Sequence, residues 1–327
     1  MTRFALAVFL TLTVGASASG FNALGHKVVA DIAWRELEPA TRRSIVEVLR
    51  RHPRFDADFA AKMVDDTRVT DRESQDRWIF LHASTWPDVA RGLPAGERAK
   101  YDRPTWHYIN FPLYLDGSDR RALAPTLSVN LSTAYPGRVA PEDYNVLQAI
   151  AYSRDVLGQR KTAPDAKALA YCWLLHLVGD IHQPLHSTAL FSVNRFPTGD
   201  RGGNEIPLRR GENLHKLWDN LLGRQHYLRN VDTAVADLSD RRRFGDVWGT
   251  AARERNPRKW AEESHALCES FVYSPDILTA VRESPPDMKL TPITLPDAYM
   301  KEAGYQARRR VVAAGLRLAA LLQGVAP

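Results

Sequence analysis

Two cysteines, Cys172 and Cys268, are all that the 327 residues carry. A disulfide-stapled miniature and a cysteine-rich structural zinc site are both excluded by that count. One bridge between the pair remains open, because sequence does not say whether they meet. Gly/Ser-rich linkers, low-complexity runs and internal repeats are also absent, so residues 21–327 read as one domain rather than a string of modules or a solenoid. Strand-period alternation is sparse, which excludes an all-β fold. Beyond the first twenty residues no apolar run approaches membrane length, and stable membrane insertion is not expected. Acidic residues are outnumbered, 38 against 44 Lys and Arg, for a net charge of +6. Such a balance suits a polyanionic partner as well as it suits an ordinary basic surface.

Residues 1–20 have the composition of an export signal. Arg3 precedes an apolar run from Phe4 to Val14, and Gly15-Ala16-Ser17-Ala18-Ser19-Gly20 supplies small residues for a signal peptidase. Cleavage after Ala18 or Gly20 fits. A cut after Gly20 makes Phe21 the first residue of the mature chain, whose location is then secreted or periplasmic.

Helical periodicity dominates the rest of the chain, over Val28–Leu37, Ser44–Leu49, Val146–Leu157, Ala166–Val178, Leu214–Leu222, Thr250–Val272 and Tyr305–Leu322. The fold class is mainly α, a single compact helical domain, with long loops predicted at 84–141 and 187–212. Loops of that length commonly carry function.

The stretch His176-Leu177-Val178-Gly179-Asp180-Ile181-His182-Gln183-Pro184-Leu185-His186 concentrates three histidines and an aspartate. His176 and Asp180 stand four apart, one turn along one helix face. Pro184 stops the helix and lets His186 approach from the next turn. His215 and Asp219 repeat the same spacing. Mixed imidazole and carboxylate sets suit Zn²⁺, and a carboxylate can bridge metals held close together.

Upstream lie Phe21, whose free α-amine and carbonyl could chelate, His26, the turn Trp86-Pro87-Asp88 with Arg91 three residues on, and His107 between Trp106 and Tyr108. Each alone is an ordinary surface or core residue; together with the central stretch they form a ligand set. His82 and His182 are read as packing or outer partners of ligands. Arg241-Arg242-Arg243 and Arg308-Arg309-Arg310 are read as solvated helix faces.

These residues resemble the zinc-dependent single-strand nuclease and 3′-nucleotidase family of fungi, plants and bacteria, related distantly to zinc phospholipase C. The resemblance rests on Ala23-Leu24-Gly25-His26, Trp86-Pro87-Asp88, Trp106-His107, His176 through His186, Gly202-Gly203-Asn204, Asn213 through Asp219, Trp260 through Ser264 and Gly315 through Ala319. It implies a trinuclear zinc cleft with three Zn²⁺ ions. Asp88, His107, His176 and Asp180 would hold one. The Phe21 amine and carbonyl, His26 and bridging Asp180 would hold the second, and His186, His215 and Asp219 the third. Arg91 would stabilise charge on the phosphoryl oxygens, with Arg91 and Asp180 the catalytic residues.

The resemblance implies hydrolysis of single-stranded DNA and RNA to 5′-phosphate products, with 3′-nucleotides as further substrates, by a monomer. Zinc acidifies water, so no side-chain nucleophile is needed. Tyr108 offers a face for base stacking, and Asn110 stands where fungal members place a base-recognising Asp. An amide donates as well as accepts, so base preference is expected to differ. The family's usual cysteine partner of Cys268 appears as Asn145. A zinc phospholipase C is the alternative, but its relatives carry Glu at the position of Asp219. A binding module without catalysis would leave the ligand set unexplained.

Overall fold

The computed structural model describes residues 21–209, 211–286 and 288–325. Residues 1–20, read from the sequence as an export signal, lie outside the described residues. Helix α1 (Ala23–Glu36) starts where the Asn22 side chain accepts from the Leu24 and Gly25 N–H groups, and its residues Leu24 to Trp34 are all buried. A helix buried all round belongs at the centre of a domain. The last long helix of the chain runs along it.

The remaining frame is helical too. Helix α2 (Arg72–Ala83) opens on a capping box between Asp71 and Ser74, and α3 (Val146–Gly158) on one between Asn145 and Gln148. Helix α4 (Pro164–Asp180) begins with proline in its first turn and is buried from Ala170 to Asp180. Shorter α5 (Leu214–Asp219) and α6 (Pro257–Leu267) come next, and α7 (Asp297–Gln323) closes the chain. Gly315 lets α7 approach α1, because a Cβ there would meet Ile32 at 2.5 Å. The mainly α fold and its single domain are therefore as expected.

Two expectations about connections change. The segment 84–141 is not one loop: it holds helices Trp86–Arg91, Ala95–Tyr101 and Gly117–Leu123 and strand β1 (Phe111–Tyr114). Within 187–212 lies β2 (Thr188–Phe191), paired in parallel with β1 from Phe111 with Thr188 to Tyr114 with Phe191. Each helix or strand is seven residues or shorter, below the window in which periodicity shows. Thr250–Val272 is likewise broken, because Asn256 caps a new helix that begins at Pro257.

Apolar side chains gather in two clusters. The larger includes Phe21, Val28, Ile32, Leu174, Val178, Ile181 and Val312; the smaller includes Leu185, Leu190, Leu214, Trp218, Tyr273 and Ile277. Ile181 ends one and Leu185 begins the other, so the turn after α4 crosses the seam between them. Cys172 and Cys268 are both buried and free. Among the described residues no helix is long and apolar enough to cross a membrane.

Candidate metal centre

The seam holds the candidate ligands. Helix α4 delivers His176 and Asp180 fully buried, with His176 Nε2 3.1 Å from Asp180 Oδ2. The helix stops at Asp180, Gln183 turns extended ahead of Pro184, and the short turn Pro184–His186 brings His186 back toward the same point. From α1, His26 places Nε2 3.4 Å from Asp180 Oδ1 and stacks on His176 at 3.9 Å between ring centroids. Gly179 makes room for that ring: a Cβ there would lie 2.7 Å from His26 Nδ1.

His107, at the end of the turn Pro104–His107, puts Nδ1 2.9 Å from Asp180 Oδ2 and 3.0 Å from His176 Nε2. Asp88, from the proline-started helix Trp86–Arg91, faces His176 Nε2 at 4.0 Å and keeps part of its side chain exposed. On the other side of Asp180, His186 Nε2 faces His215 Nε2 at 3.1 Å, and His215 Nε2 lies 3.6 Å from Asp219 Oδ2. Three clusters result: His26 with His176 and Asp180; Asp88 with His107 and His176; His186 with His215 and Asp219. Phe21 is buried, its side chain against Gly25, and the Asn22 N–H donates to the Asp219 carbonyl.

The partners behind the imidazoles explain these contacts. His176 Nδ1 donates to the Ser84 carbonyl at 2.8 Å, His186 Nδ1 to the His107 carbonyl at 2.6 Å, and His215 Nδ1 to the Gly202 carbonyl at 2.6 Å. A neutral imidazole has one N–H, so in each of these rings it is the lone pair of the other nitrogen that faces inward. The His186 and His215 lone pairs then face each other at 3.1 Å, an arrangement that repels unless a cation lies between them. Nitrogens bound to a tetrahedral zinc stand roughly 3.3 Å apart, close to the spacings found. Buried atoms without a partner complete the fit: both His26 nitrogens, Asp88 Oδ1, His107 Nε2 and Asp180 Oδ1.

Electrostatics agree with that reading at His26 and His107, while at His176 burial is outweighed by Asp180 and then Asp88, which raise it. Burial lowers His26, reinforced by His176, and lowers His107 to about 4, which keeps both rings neutral and able to ligate. Burial opposes charge on Asp180, yet His176 and then His186 hold it well below the usual carboxylate range. Burial instead raises Asp219, against a hydrogen bond from Gln183, with the charges of Asp88 and Asp180 adding to the rise. Three carboxylates around one buried point are what a cation would neutralise.

Beside the clusters lies a cavity of about 180 Å³ bordered by Arg91, Tyr108, Asn110, His186, Arg201 and His215. Tyr108 is 37% exposed, open enough to meet a planar ligand. Arg91 Nη2 stands 3.5 Å from Asp88 Oδ1. The residues expected to bind base and phosphoryl group thus share one hollow with His186 and His215 of the third candidate cluster.

Sequence reasoning passed over several members of the site. Gln183 Nε2 donates to Asp219 Oδ1 at 2.8 Å while its Oε1 accepts from the Leu185 N–H. Arg201 brings a second guanidinium to the hollow from a left-handed run, φ 58° at Arg201, 61° at Gly202 and 79° at Gly203. A Cβ at Gly202 would lie 2.3 Å from the Leu185 carbonyl, which the tight run explains. A pair of glycines after Arg201 was the available signal. His82 and His182 are packing residues as expected, His82 stacked on Trp78 and His182 bonded to the Val178 carbonyl. One expectation fails: Arg310 is buried, not on a solvated face, because its guanidinium is claimed by Glu263, Ser264 and the carbonyls of Trp260 and His182.

The chain is 29% identical over 170 residues to Endonuclease 4 of Arabidopsis thaliana, a match spanning 48% of this chain and 50% of the relative. Its match to Endonuclease 2 of the same plant is 28% over 94% of this chain and 90% of the relative. Nuclease S1 of Aspergillus oryzae matches at 24% over 97% and 95%. The S1/P1 Nuclease family matches residues 21–327, and the chain belongs to that family of metal-dependent hydrolytic nucleases.

Proposed function

We propose that the protein is a zinc-dependent endonuclease that hydrolyses phosphodiester bonds of single-stranded DNA and RNA to 5′-phosphate products, with 3′-nucleotidase activity besides. The observation that carries the reading is the inward-facing set of imidazole lone pairs, each fixed from behind by a backbone carbonyl, beside the hollow that holds Tyr108 and Arg91. Three Zn²⁺ ions are assigned: one to Asp88, His107, His176 and Asp180, one to the Phe21 amine and carbonyl with His26 and Asp180, and one to His186, His215 and Asp219. When bound, zinc supplies the Lewis acidity that makes water a nucleophile near neutral pH and offsets charge on the phosphoryl group and the departing oxygen.

The chain's own residues do the rest. Arg91 offers its guanidinium to the phosphoryl oxygens, where negative charge accumulates as phosphorus is attacked. Tyr108 stacks on an unpaired base, and Asn110 reads its edge as donor and acceptor. A duplex keeps its bases stacked and cannot present one to Tyr108, so single strands are preferred. Residues 1–20 serve as export signal and 21–327 as the nuclease domain of a secreted or periplasmic monomer; a family match beginning at Phe21 supports that boundary.

The test is incubation of the purified mature protein with single-stranded DNA, RNA, a 3′-nucleotide and phosphatidylcholine, each with and without chelator. Chelator-sensitive cleavage of the first three is the expected outcome. Lipid cleavage without nucleotide cleavage would overturn it, and so would a fully zinc-loaded protein that turns over nothing.

A further inference from the structure

Asp200 is fully buried yet belongs to none of the candidate ligand clusters. Three neutral donors converge on it. Its Oδ1 accepts from the Leu190 N–H at 2.9 Å, and its Oδ2 accepts from the Gly203 N–H at 3.0 Å and from the Tyr273 hydroxyl at 2.7 Å. Burial pushes the carboxyl up to about 6 against those three bonds, which leaves it largely ionised at neutral pH. A charge out of water is costly to keep, and a neutral residue of the same size would serve if filling space were the only need.

The two carboxylate oxygens hold different pieces of the metal centre's surroundings. Leu190 lies on β2, which pairs with β1, the strand that starts directly after Asn110. Oδ2 reaches instead into the left-handed run of Arg201, Gly202 and Gly203, where Arg201 is the only residue other than glycine with a positive φ among the described residues. Such a backbone persists only where its surroundings over-determine it. The run makes two deliveries: the Gly202 carbonyl accepts from His215 Nδ1 at 2.6 Å, and Arg201 borders the hollow that holds Tyr108. The Gly203 carbonyl also accepts from the His215 N–H at 3.4 Å, so ring and backbone of this histidine both rest on glycines that Asp200 holds. Only a carboxylate suits the place. An asparagine would turn its NH2 toward either the Leu190 or the Gly203 N–H, donor against donor.

We propose that Asp200 is a positioning residue for the metal centre: it locks the Arg201–Gly203 run, so that the Gly202 carbonyl fixes the His215 ring for the third zinc. It acts through that carbonyl and touches neither ion nor substrate. The inference rests on the zinc site of the nuclease reading, and its test separates the two.

Zinc-loaded mature protein is compared with Asp200→Asn and with Tyr273→Phe, which deletes one donor and keeps both N–H contacts. A chromophoric chelator withdraws the zinc, and the ring N–H protons of His176, His186 and His215 are followed by NMR at saturating zinc. Asp200→Asn should weaken retention of one ion in three by about 10- to 100-fold, the scale for outer partners of metal ligands. Tyr273→Phe should weaken the same ion by about threefold, the effect of one hydrogen bond lost. The His215 Nδ1 proton, placed downfield by its 2.6 Å bond, should move upfield in Asp200→Asn while those of His176 and His186 stay. Equal loss of all the ions, or an unmoved His215 proton, overturns the proposal, because Asp200 then supports the fold alone. If Asp200→Asn does not fold, Tyr273→Phe decides: selective loss of one ion supports the proposal, and unchanged retention overturns it. A wild type that holds no zinc sinks the nuclease reading and this inference together. Selective loss of one ion in a protein that cleaves no strand would sink the nuclease reading and leave the role of Asp200 standing.

Discussion

Asp180 occupies the position where the three clusters meet. Its Oδ2 lies within 3.1 Å of both His107 and His176, while its Oδ1 faces His26 at 3.4 Å and His186 at 3.9 Å. A carboxylate shared in this way can bridge two cations, and Asp180→Ala removes both contacts at once. The expected result is loss of bound zinc together with turnover down by at least about a thousandfold, the scale on which removal of a transition-state charge partner is felt. Elemental analysis and rate measured on one sample check it; a variant that keeps both zinc and rate would refute the bridge. Gln183 acts at one remove, through its bond to Asp219 Oδ1. Gln183→Leu keeps the bulk and deletes the donor, and zinc retention at His186, His215 and Asp219 should weaken by about 10- to 100-fold, as for other outer partners of metal ligands. Competition against a chromophoric chelator reads the difference, and undiminished retention would assign Gln183 to packing alone.

At the scale of elements, the turn after α4 needs support, since it must leave the helix at Asp180 and return at His186. Support comes from behind. Ser264 on α6 donates to the Ile181 carbonyl at 2.6 Å, Arg310 on α7 donates to the His182 carbonyl, and Arg310 and Arg317 both donate to Glu263 at 2.6 Å. Burial opposes charge on Glu263, but the hydrogen bond from Arg317 and the charge of Arg310 hold its carboxyl below the ordinary value of 4.5. A lowered folded value means that the carboxylate stabilises the fold above about pH 4.5 and that this contribution fades as pH falls through the folded value. Glu263→Gln should therefore lower Tm at neutral pH by roughly 5 °C, about 2 kcal/mol after allowance for its partial exposure. As pH falls below 4.5 and through that lowered folded value, the variant and wild type should converge. Thermal melts across that range decide it, and parallel curves would show that Glu263 is not the titrating partner.

The legibility of the sequence divides along the same line. Long helices with full apolar faces, α1, α3, α4 and the second half of α7, were readable because burial imposes a period. The ligands on helices were readable because four-residue spacing puts two donors on one face. Unread were the contacts that depend on where chain segments cross: the carbonyls of Ser84, His107 and Gly202 behind the imidazoles, and the parallel pairing of β1 with β2, which lie far apart along the chain. A backbone carbonyl has the same chemistry at every position, so composition carries no trace of which ones serve. Arg310 was misread for the related reason that its partner, Glu263, lies on another helix.

For the whole molecule, the proposed cut after Gly20 would make the start of the mature chain part of the chemistry. Phe21 is fully buried in the larger apolar cluster, and Asn22 both caps α1 and donates its N–H to the Asp219 carbonyl, so the backbone entering α1 is held against α5 and the third ligand cluster. A cut after Gly20 would free the Phe21 amine beside its own carbonyl, a five-membered chelate that no internal peptide can offer. An added residue converts that amine to an amide, which is a far weaker ligand. A form carrying one extra alanine before Phe21 should bind one zinc fewer than the protein beginning at Phe21 and lose activity by at least about tenfold, as expected when an ion's chelate is broken. Because Phe21 itself is retained, its packing is kept, and a melt of the zinc-free proteins should show no difference between the two forms. Native mass spectrometry counts the ions, and equal zinc content with equal rate in both forms would remove the N-terminus from the ligand set.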